Sequence, residues 1–422
     1  MKKILALTLA LLMIFSLSAC NSDEEGSRSK EPTEESVSTD SSSTSDKTSA
    51  QDKGDDKDAF VVGAPNPLTG VNANAGIDGV NATKLAAEQI NAEGGLLGHE
   101  VKVVGYDDQG TPEEAVKIAS KMIEVDHVDA VIGSVISSCV LASAAALNDA
   151  GIVTFGTGTS PTWMAKDWPY VFRACANNDF TLPILVDFWD DLDIKSVAIF
   201  AGQDDASAAA SDTVQQLSKD VGIDVVDVES HMDGDTDFSG QCAKIISSNP
   251  GVVFLATYGS TQPLIIKQLR QYGYKGLIFT KDLLQTDSIG IAGTASDYVG
   301  FAYPYLTYAD IEECDDEDIK AFLEAYYDAY GELPNTDTAY RAYDSMMVLK
   351  AAAEKADSVD GEAIRAAVNE ITDLKGLGGT FDYSVGDREG LHDCAIYVVL
   401  DESYVLFDKW IESGDYDAWL NQ

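Results

Sequence analysis

The sequence has little positive charge for its length. Its 422 residues include 28 Lys and Arg against 71 Asp and Glu, which gives a formal net charge of −43. A surface this acidic repels nucleic acids and anionic lipid headgroups. The composition therefore argues against nucleic acid as a partner and against a protein that binds membranes through a basic face.

Histidine and cysteine are scarce and widely spaced. The four histidines are His99, His127, His231 and His392. Their scatter gives little support to a His-based metal site or catalytic triad. The six cysteines match no zinc-binding spacing. Apart from Cys20, the cysteines are Cys139, Cys175, Cys242, Cys314 and Cys394. An odd number leaves at least one thiol free or paired outside the chain, and the spacing fixes no disulfide.

The motifs of common enzyme classes are also missing. The segment "GTGTSP" does not match G-x-S-x-G, and its continuation lacks the third glycine of a dinucleotide-binding loop. A run of acids from Asp233 imitates a calcium loop, but Phe238 stands where glycine is needed and Lys244 where the bidentate Glu belongs. We therefore predict no enzymatic activity, no metal and no cofactor.

Long apolar runs are confined to the N-terminus. Lys2 and Lys3 precede an apolar stretch over 4–15, and "LSAC" ends at Cys20. This pattern predicts a signal peptide over 1–19. Cys20 resembles the lipidated cysteine of a bacterial lipobox, which implies an extracytoplasmic protein held at the membrane by a lipid anchor. Residues 20–58 are acidic and rich in Ser and Thr, which predicts a disordered tether. So long a spacer suits the thick wall of a Gram-positive cell.

The remaining residues, about 364 from Ala59 onward, alternate between strand and helix patterns. Strand patterns such as "FVVGAP", "EVKVVGYDD" and "AVIGS" are each followed by an amphipathic or small-residue helix pattern. A second alternating series begins near residue 180. Such alternation predicts an α/β fold in which two Rossmann-like lobes each carry a parallel sheet covered by helices. We predict lobe 1 over 59–178 plus 306–384 and lobe 2 over 179–305 plus 385–422, with a ligand cleft between them.

Serines stand where one predicted strand passes into a helix. The stretch "AVIGSVISS" ends at Ser137 and Ser138, and the following segment is typical of a helix. Orphan N–H groups and the helix dipole favour an anion at such a position. The residues alone leave two interpretations open: the hydroxyls cap the helix, or they form part of an anion-binding site.

Four further segments carry a resemblance to a known family. They are "VGAPNPLTGVNANAG", "AAEQINAEGGLLGHEVKVVGYDDQGTPEEAV", "DFSGQCAKI" and "AYRAYDSMMVL". In order and spacing they resemble the type I periplasmic-binding-protein fold, and within it the leucine/isoleucine/valine-binding proteins of ABC transporters. The resemblance covers roughly residues 60–408.

The resemblance implies a set of ligand-binding residues. It places the carboxylate of an amino acid on Ser137 and on the loop that holds Gly158 and Ser160. Ser138 and Thr159, their neighbours, are included in the predicted site. In the second lobe the resemblance places the ligand's ammonium at Asp282 and packs Tyr258 on the ligand. Asp282 is one methylene shorter than the Glu that is common in the family.

The sequence departs from the family at two wall positions, and other side chains are open to two interpretations. Ala75 and Ala206 stand where aromatic residues are common, which predicts a wider or wetter pocket. Tyr340 and Arg341 could reach the cleft, where Arg341 would pair a second anionic group or else lie on a solvated helix face. Trp163 is either an apolar wall of the pocket or a core residue.

The resemblance implies a solute-binding lipoprotein of an ABC importer. It would capture a branched-chain or related amino acid and deliver it to the permease, as a monomer. Two alternatives remain open: a lipoprotein that presents its ligand to a membrane sensor, and a binder of an amide or aromatic acid instead of an aliphatic amino acid.

Overall fold

The computed structural model describes residues 59–232, 234–392 and 394–421. The predicted signal peptide, Cys20 and the tether lie outside these residues. Within the described ranges, none of the helices combines the length and the apolar character that crossing a membrane requires.

Fourteen strands are found among the described residues. In chain order β1 to β14 they are Ala59–Asn66, Glu100–Asp107, Ala130–Ile132, Val153–Gly156, Val171–Arg173, Ser196–Gly202, Asp224–His231, Val252–Ala256, Leu277–Thr280, Val299–Tyr303, Leu374–Gly376, Gly379–Phe381, Ala395–Leu400 and Ser403–Leu406. The helices α1 to α13 are Ala73–Ala92, Pro112–Lys121, Ser137–Asp149, Asn178–Asp191, Asp205–Val221, Ser239–Ser247, Thr261–Gln271, Thr286–Ala292, Glu317–Tyr330, Thr338–Ala356, Gly361–Val368, Phe407–Glu412 and Asp415–Leu420.

The first sheet has the strand order β2-β1-β3-β4-β5, and all its pairs are parallel. Its central strands read as continuous apolar runs because both of their faces are buried: every residue of β3 and β4 is buried. Helices α1 and α10 pack together, so a helix from late in the chain returns to the first lobe.

The second sheet has the order β14-β13-β10-β9-β8-β6-β7. The neighbouring strands from β6 to β10 pair in parallel. Strand β13 pairs with β10 in antiparallel orientation and forms a hairpin with β14. The predicted α/β fold with two lobes and parallel sheets is confirmed, and the antiparallel edge is an addition. The strands of the first sheet fall within 59–173 and those of the second within 196–303 and 395–406. The exact lobe boundaries stay a prediction.

Helix α2 begins without a side-chain cap. Thr111 occupies the position before α2 in extended conformation, but its hydroxyl makes no capping bond to the helix and donates to the carbonyl of Asp108 at 3.4 Å. Pro112 at the first helical position and the two acids behind it supply the helix signal. Beyond Lys121 the helix widens into a π-helical turn over Met122–Asp126.

None of the five cysteines within the described residues forms a disulfide. Cys139, Cys175, Cys242 and Cys314 are buried, and Cys394 is half-buried. Burial raises the pKa of the Cys175 thiol to about 12 and that of Cys242 to about 11. These thiols are therefore protonated at neutral pH and act as small apolar core groups.

Candidate ligand-binding cleft

A cavity of about 120 Å³ lies at the carboxyl ends of the strands of both sheets. Segments that follow β1, β3 and β4 line it from the first lobe, and segments that follow β8 and β9 line it from the second. A cavity needs about 10–15 Å³ to hold one water molecule, so this one has room for several water-sized groups. This is the size of a small organic molecule.

The first-lobe wall is built around Ser137, the first residue of α3. Its side chain lines the cavity, and its hydroxyl oxygen accepts a hydrogen bond from the backbone N–H of Ser160 at 3.2 Å. Gly158 approaches closely: a Cβ at this position would lie 2.5 Å from Ser137 Oγ and 3.0 Å from Ser137 Cα. The loop can therefore reach the helix N-terminus only because residue 158 is glycine. Ser138 is half-buried and does not line the cavity.

The loop after β4 presents Thr159, and not Ser160, to the cavity. The Ser160 hydroxyl is buried and donates to Asp205 Oδ2 at 3.0 Å. Thr162 donates to the same oxygen at 2.7 Å. Because Asp205 begins α5, these bonds join the loop of the first lobe to a helix of the second.

The second-lobe wall carries a charged pair directly after β9. Lys281 and Asp282 both line the cavity and are 2% and 8% exposed. The Lys281 ammonium contacts Asp282 Oδ2, and Asn178 donates to Oδ1 of the same carboxylate at 3.3 Å. The same ammonium donates to Thr159 Oγ1 at 3.4 Å and lies 5.1 Å from the centre of the Tyr258 ring. Both oxygens of Asp282 thus have partners within the protein.

The apolar part of the wall contains Tyr258, Ala75 and Ala206, all of which line the cavity. Trp163 does not line it. Its ring is fully buried and stacks against the Arg173 guanidinium at 4.2 Å, so the core interpretation is the correct one for this residue.

Arg341 lines the cavity and is only 4% exposed, so the interpretation of a solvated helix face is wrong. Its Nε donates to Asp337 Oδ2 at 2.6 Å, and its two terminal nitrogens donate to Thr157 O at 2.8 Å and to Tyr303 OH at 2.5 Å. Tyr303 in turn donates to Asp337 Oδ2 at 2.7 Å. The adjacent Tyr340 is buried outside the cavity, against the rings of Tyr305 and Phe322.

The electrostatics of the cavity follow from these pairs. Burial opposes ionisation of Asp282, but the charges of Lys281 and Arg341 outweigh it and hold the pKa of this carboxyl below its usual value. Burial opposes protonation of Arg341, yet Asp337 raises its pKa well above the ordinary range. Asp287, a half-buried acid of the lining, has a raised pKa because of burial.

Sequence reasoning missed Lys281 and Asp337. Neighbouring residues in a strand point to opposite faces, so a lysine next to a site carboxylate is not expected to share its site. Here β9 ends at Thr280, and both residues that follow turn into the cavity. Asp337 could have been found from its spacing of four residues before Arg341 on a helix.

No cluster of His, Cys, Asp and Glu suited to a metal ion occurs in the described part of the chain. The cavity instead offers hydroxyls, a helix N-terminus, a tyrosine ring and paired charges, which suit non-covalent binding of a small polar solute.

A sequence model of the family described as "Periplasmic binding protein" matches residues 60–403. This chain belongs to that family. As a periplasmic binding protein it is built to bind a substrate, and its cavity between two lobes is the expected place for one.

Individual relatives agree with this assignment. An amino acid binding protein of Pseudomonas aeruginosa is 28% identical over 57% of this chain, although the match spans only 64% of that relative. A leucine-, isoleucine-, valine-, threonine- and alanine-binding protein of the same organism is 25% identical over 78% of this chain and 89% of its own. The crystal structure of the leucine binding protein LivK from Thermotoga maritima superposes with a TM-score of 0.72 at 25% identity, covering 82% of this chain and 97% of that one.

Proposed function

We propose that this periplasmic binding protein captures a small solute with a carboxylate head and delivers it to an ABC permease. The observation that carries the proposal is the position of Ser137: a buried serine at the first residue of α3 that faces the cavity between the lobes. Helix α3 has thirteen residues. The free N–H groups and the dipole at the N-terminus of such a helix stabilise an anion, and a neighbouring hydroxyl adds a hydrogen bond.

Amino acids of the branched-chain type are the candidates suggested by the names of the relatives. The cavity has the size for such a molecule, and its apolar wall suits an aliphatic side chain. An aromatic acid or an amide is the alternative, because Ala75 and Ala206 leave space that larger family residues would fill.

The proposed mechanism is a two-state capture. The carboxylate docks first on the lobe that carries Ser137, Gly158 and Ser160. The second lobe then closes and brings Tyr258 and the region of Asp282 onto the ligand. Closure is a hinge motion, driven by the higher affinity of the ligand for the closed form. We propose no chemical step on the ligand.

Thermal shift and calorimetric titration against amino acids and small carboxylates test this function. The variant Ser137→Ala should weaken binding of the stabilising ligand about 10- to 150-fold, since a hydrogen bond to a charged group contributes about 1.5–3 kcal/mol. Ser143→Ala is the matched control: its hydroxyl lies on the same helix and donates to the Cys139 carbonyl at 2.8 Å. Equal affinity of the two variants would place the carboxylate site elsewhere.

We further propose that the protein is monomeric, extracytoplasmic and anchored by lipid on Cys20, in a Gram-positive cell. Partitioning into a detergent phase checks the anchor. The wild type expressed in a bacterial host should enter the detergent phase, and Cys20→Ala should stay in the aqueous phase. Aqueous partitioning of both would contradict the lipoprotein assignment.

A further inference from the structure

The acid expected to receive a ligand ammonium is already neutralised from within the chain. Lys281 is as deeply buried as the core and contacts Asp282 Oδ2, while Asn178 holds the other carboxylate oxygen. Both residues of the pair line the cavity, and both are almost fully buried.

A zwitterionic ligand meets a specific obstacle at this pair. Its ammonium would have to displace the Lys281 ammonium from Asp282 or lie beside it without its own counter-ion. Either arrangement sets two ammonium groups against one carboxylate whose oxygens both already have partners, and it disrupts a buried ion pair.

Neither of the two other acids of the lining is a ready replacement. Asp337 already accepts hydrogen bonds from Arg341 and Tyr303. Asp287 is half-buried, and burial raises its pKa and so disfavours the carboxylate form that an ammonium needs.

An anionic head without an ammonium meets no such obstacle. Lys281 donates a hydrogen bond across the cleft to Thr159 Oγ1 at 3.4 Å. Thr159 belongs to the loop whose Ser160 N–H donates to the Ser137 hydroxyl, so Lys281 lies close to the proposed carboxylate site. An ammonium has three donors. Two of them serve Asp282 and Thr159 among the described contacts. A ligand carboxylate in the cavity would therefore interact with the positive charge of Lys281 as well as with the hydrogen-bond donors of the first lobe.

We propose that the ligand is a small monocarboxylate without an α-ammonium group, and that Lys281 supplies at this position the positive charge that an amino acid would bring. This inference rests on the proposed function, in which the carboxylate docks at Ser137. It makes Lys281 a specificity-determining residue: it attracts the carboxylate and excludes the zwitterion.

Matched ligand pairs test the inference by calorimetric titration of the purified full chain. The probes are the protein amino acids and their deaminated analogues, such as leucine with 4-methylpentanoate and phenylalanine with 3-phenylpropanoate. For the pair that fits the cavity, the wild type should bind the deaminated member at least tenfold more tightly. Tighter binding of the amino acid would overturn the inference, whether the ammonium is received by Asp287 or by Asp282.

The variant Lys281→Met should reverse this preference, because it removes the cation and frees Asp282 for an ammonium. Lys275→Met is the matched control, an exposed lysine six residues earlier that should retain the wild-type preference. If Lys281→Met fails to fold, as judged by circular dichroism, the ligand preference of the wild type alone decides. An unchanged preference in a folded Lys281→Met variant would also refute the role of the lysine.

The two proposals fail in distinguishable ways. If the wild type prefers the amino acid and Ser137→Ala weakens its binding, the proposed function stands and the inference about Lys281 falls. If no amino acid and no deaminated analogue binds, both fall together.

Discussion

Replacing Arg341 by methionine should destabilise the protein by several kcal/mol. The guanidinium is buried, and it donates to a carboxylate, a backbone carbonyl and a phenol. Removal of one partner from a buried ion pair costs about 3–5 kcal/mol, because the other charge stays buried without compensation. In Arg341→Met the uncompensated group is Asp337, which is 1% exposed and keeps hydrogen bonds from Tyr303 and Gln285.

The expected loss of unfolding free energy can be converted into a decrease in the melting temperature, Tm. The described chain has about 360 residues, and unfolding entropy near the transition is about 2.1 cal/mol/K per residue, or roughly 0.76 kcal/mol/K in total. A loss of about 3–5 kcal/mol therefore lowers Tm by about 4–7 °C. Differential scanning calorimetry of the ligand-free protein measures the shift. The matched control is Arg365→Met, whose arginine pairs with Glu362 on the surface and should leave Tm nearly unchanged.

A double variant tests the cause of the loss. Arg341→Met combined with Asp337→Asn removes both charges, so it should be less destabilised than the sum of the two single variants. Two outcomes would refute the conclusion that the uncompensated charge of Asp337 causes the loss of stability. One is an equal Tm for Arg341→Met and the Arg365→Met control. The other is strict additivity of the two single effects in the double variant.

Three further predictions follow from burial and close packing. Burial raises the pKa of Asp78 to about 7, so the folded state holds this proton more tightly than the unfolded state; its stabilising effect is complete below about pH 4 and is lost as the pH rises through 7. Urea unfolding should show stability falling from pH 5 to 8, and Asp78→Asn should reduce the slope near pH 5–6 by about 1.4 kcal/mol per pH unit; an unchanged slope would contradict the assignment. Gly158→Ala should cost about 1–3 kcal/mol by overpacking against Ser137 and weaken ligand binding, whereas Gly240→Ala, which meets no atom within 4 Å, should do neither; equal urea midpoints would disprove the close approach. Iodoacetamide should modify the half-buried Cys394 of the native protein ahead of the four buried cysteines, and mass spectrometry showing a buried thiol modified first would contradict their enclosure.

Much of the fold was readable from the sequence because its signals are local. Apolar runs of strand length alternate with helix patterns, and glycines or prolines mark the joints between them. Pro112 with the acids behind it is such a signal, and α2 begins there. The alternation itself implied parallel sheets, since a helix between two strands returns the chain to the same edge. The antiparallel pairing of β13 with β10 was not readable, because it depends on which strand edge remains open in the folded sheet.

The cleft was predicted in outline for the same reason. Parallel strands place their carboxyl ends together, so the segments after β3 and β4 share one end of the first sheet and those after β8 and β9 share one end of the second. The family resemblance set these two ends across a cleft. Ser137, Thr159, Tyr258, Asp282 and Arg341 do line one cavity. Their roles toward a ligand stay a prediction.

Pattern alone could not decide the partner of each buried charge. The spacing of Asp337 and Arg341 by four residues permits an ion pair, but spacing does not distinguish a solvated helix face from a buried one. Lys281 and Asp282 are adjacent in sequence, and only the end of β9 lets both turn inward. The sequence by itself determined which elements form and which ends of the strands meet. The tertiary structure decided which charges neutralise each other, because burial removes water as an alternative partner and makes each pairing depend on contacts far apart in the chain.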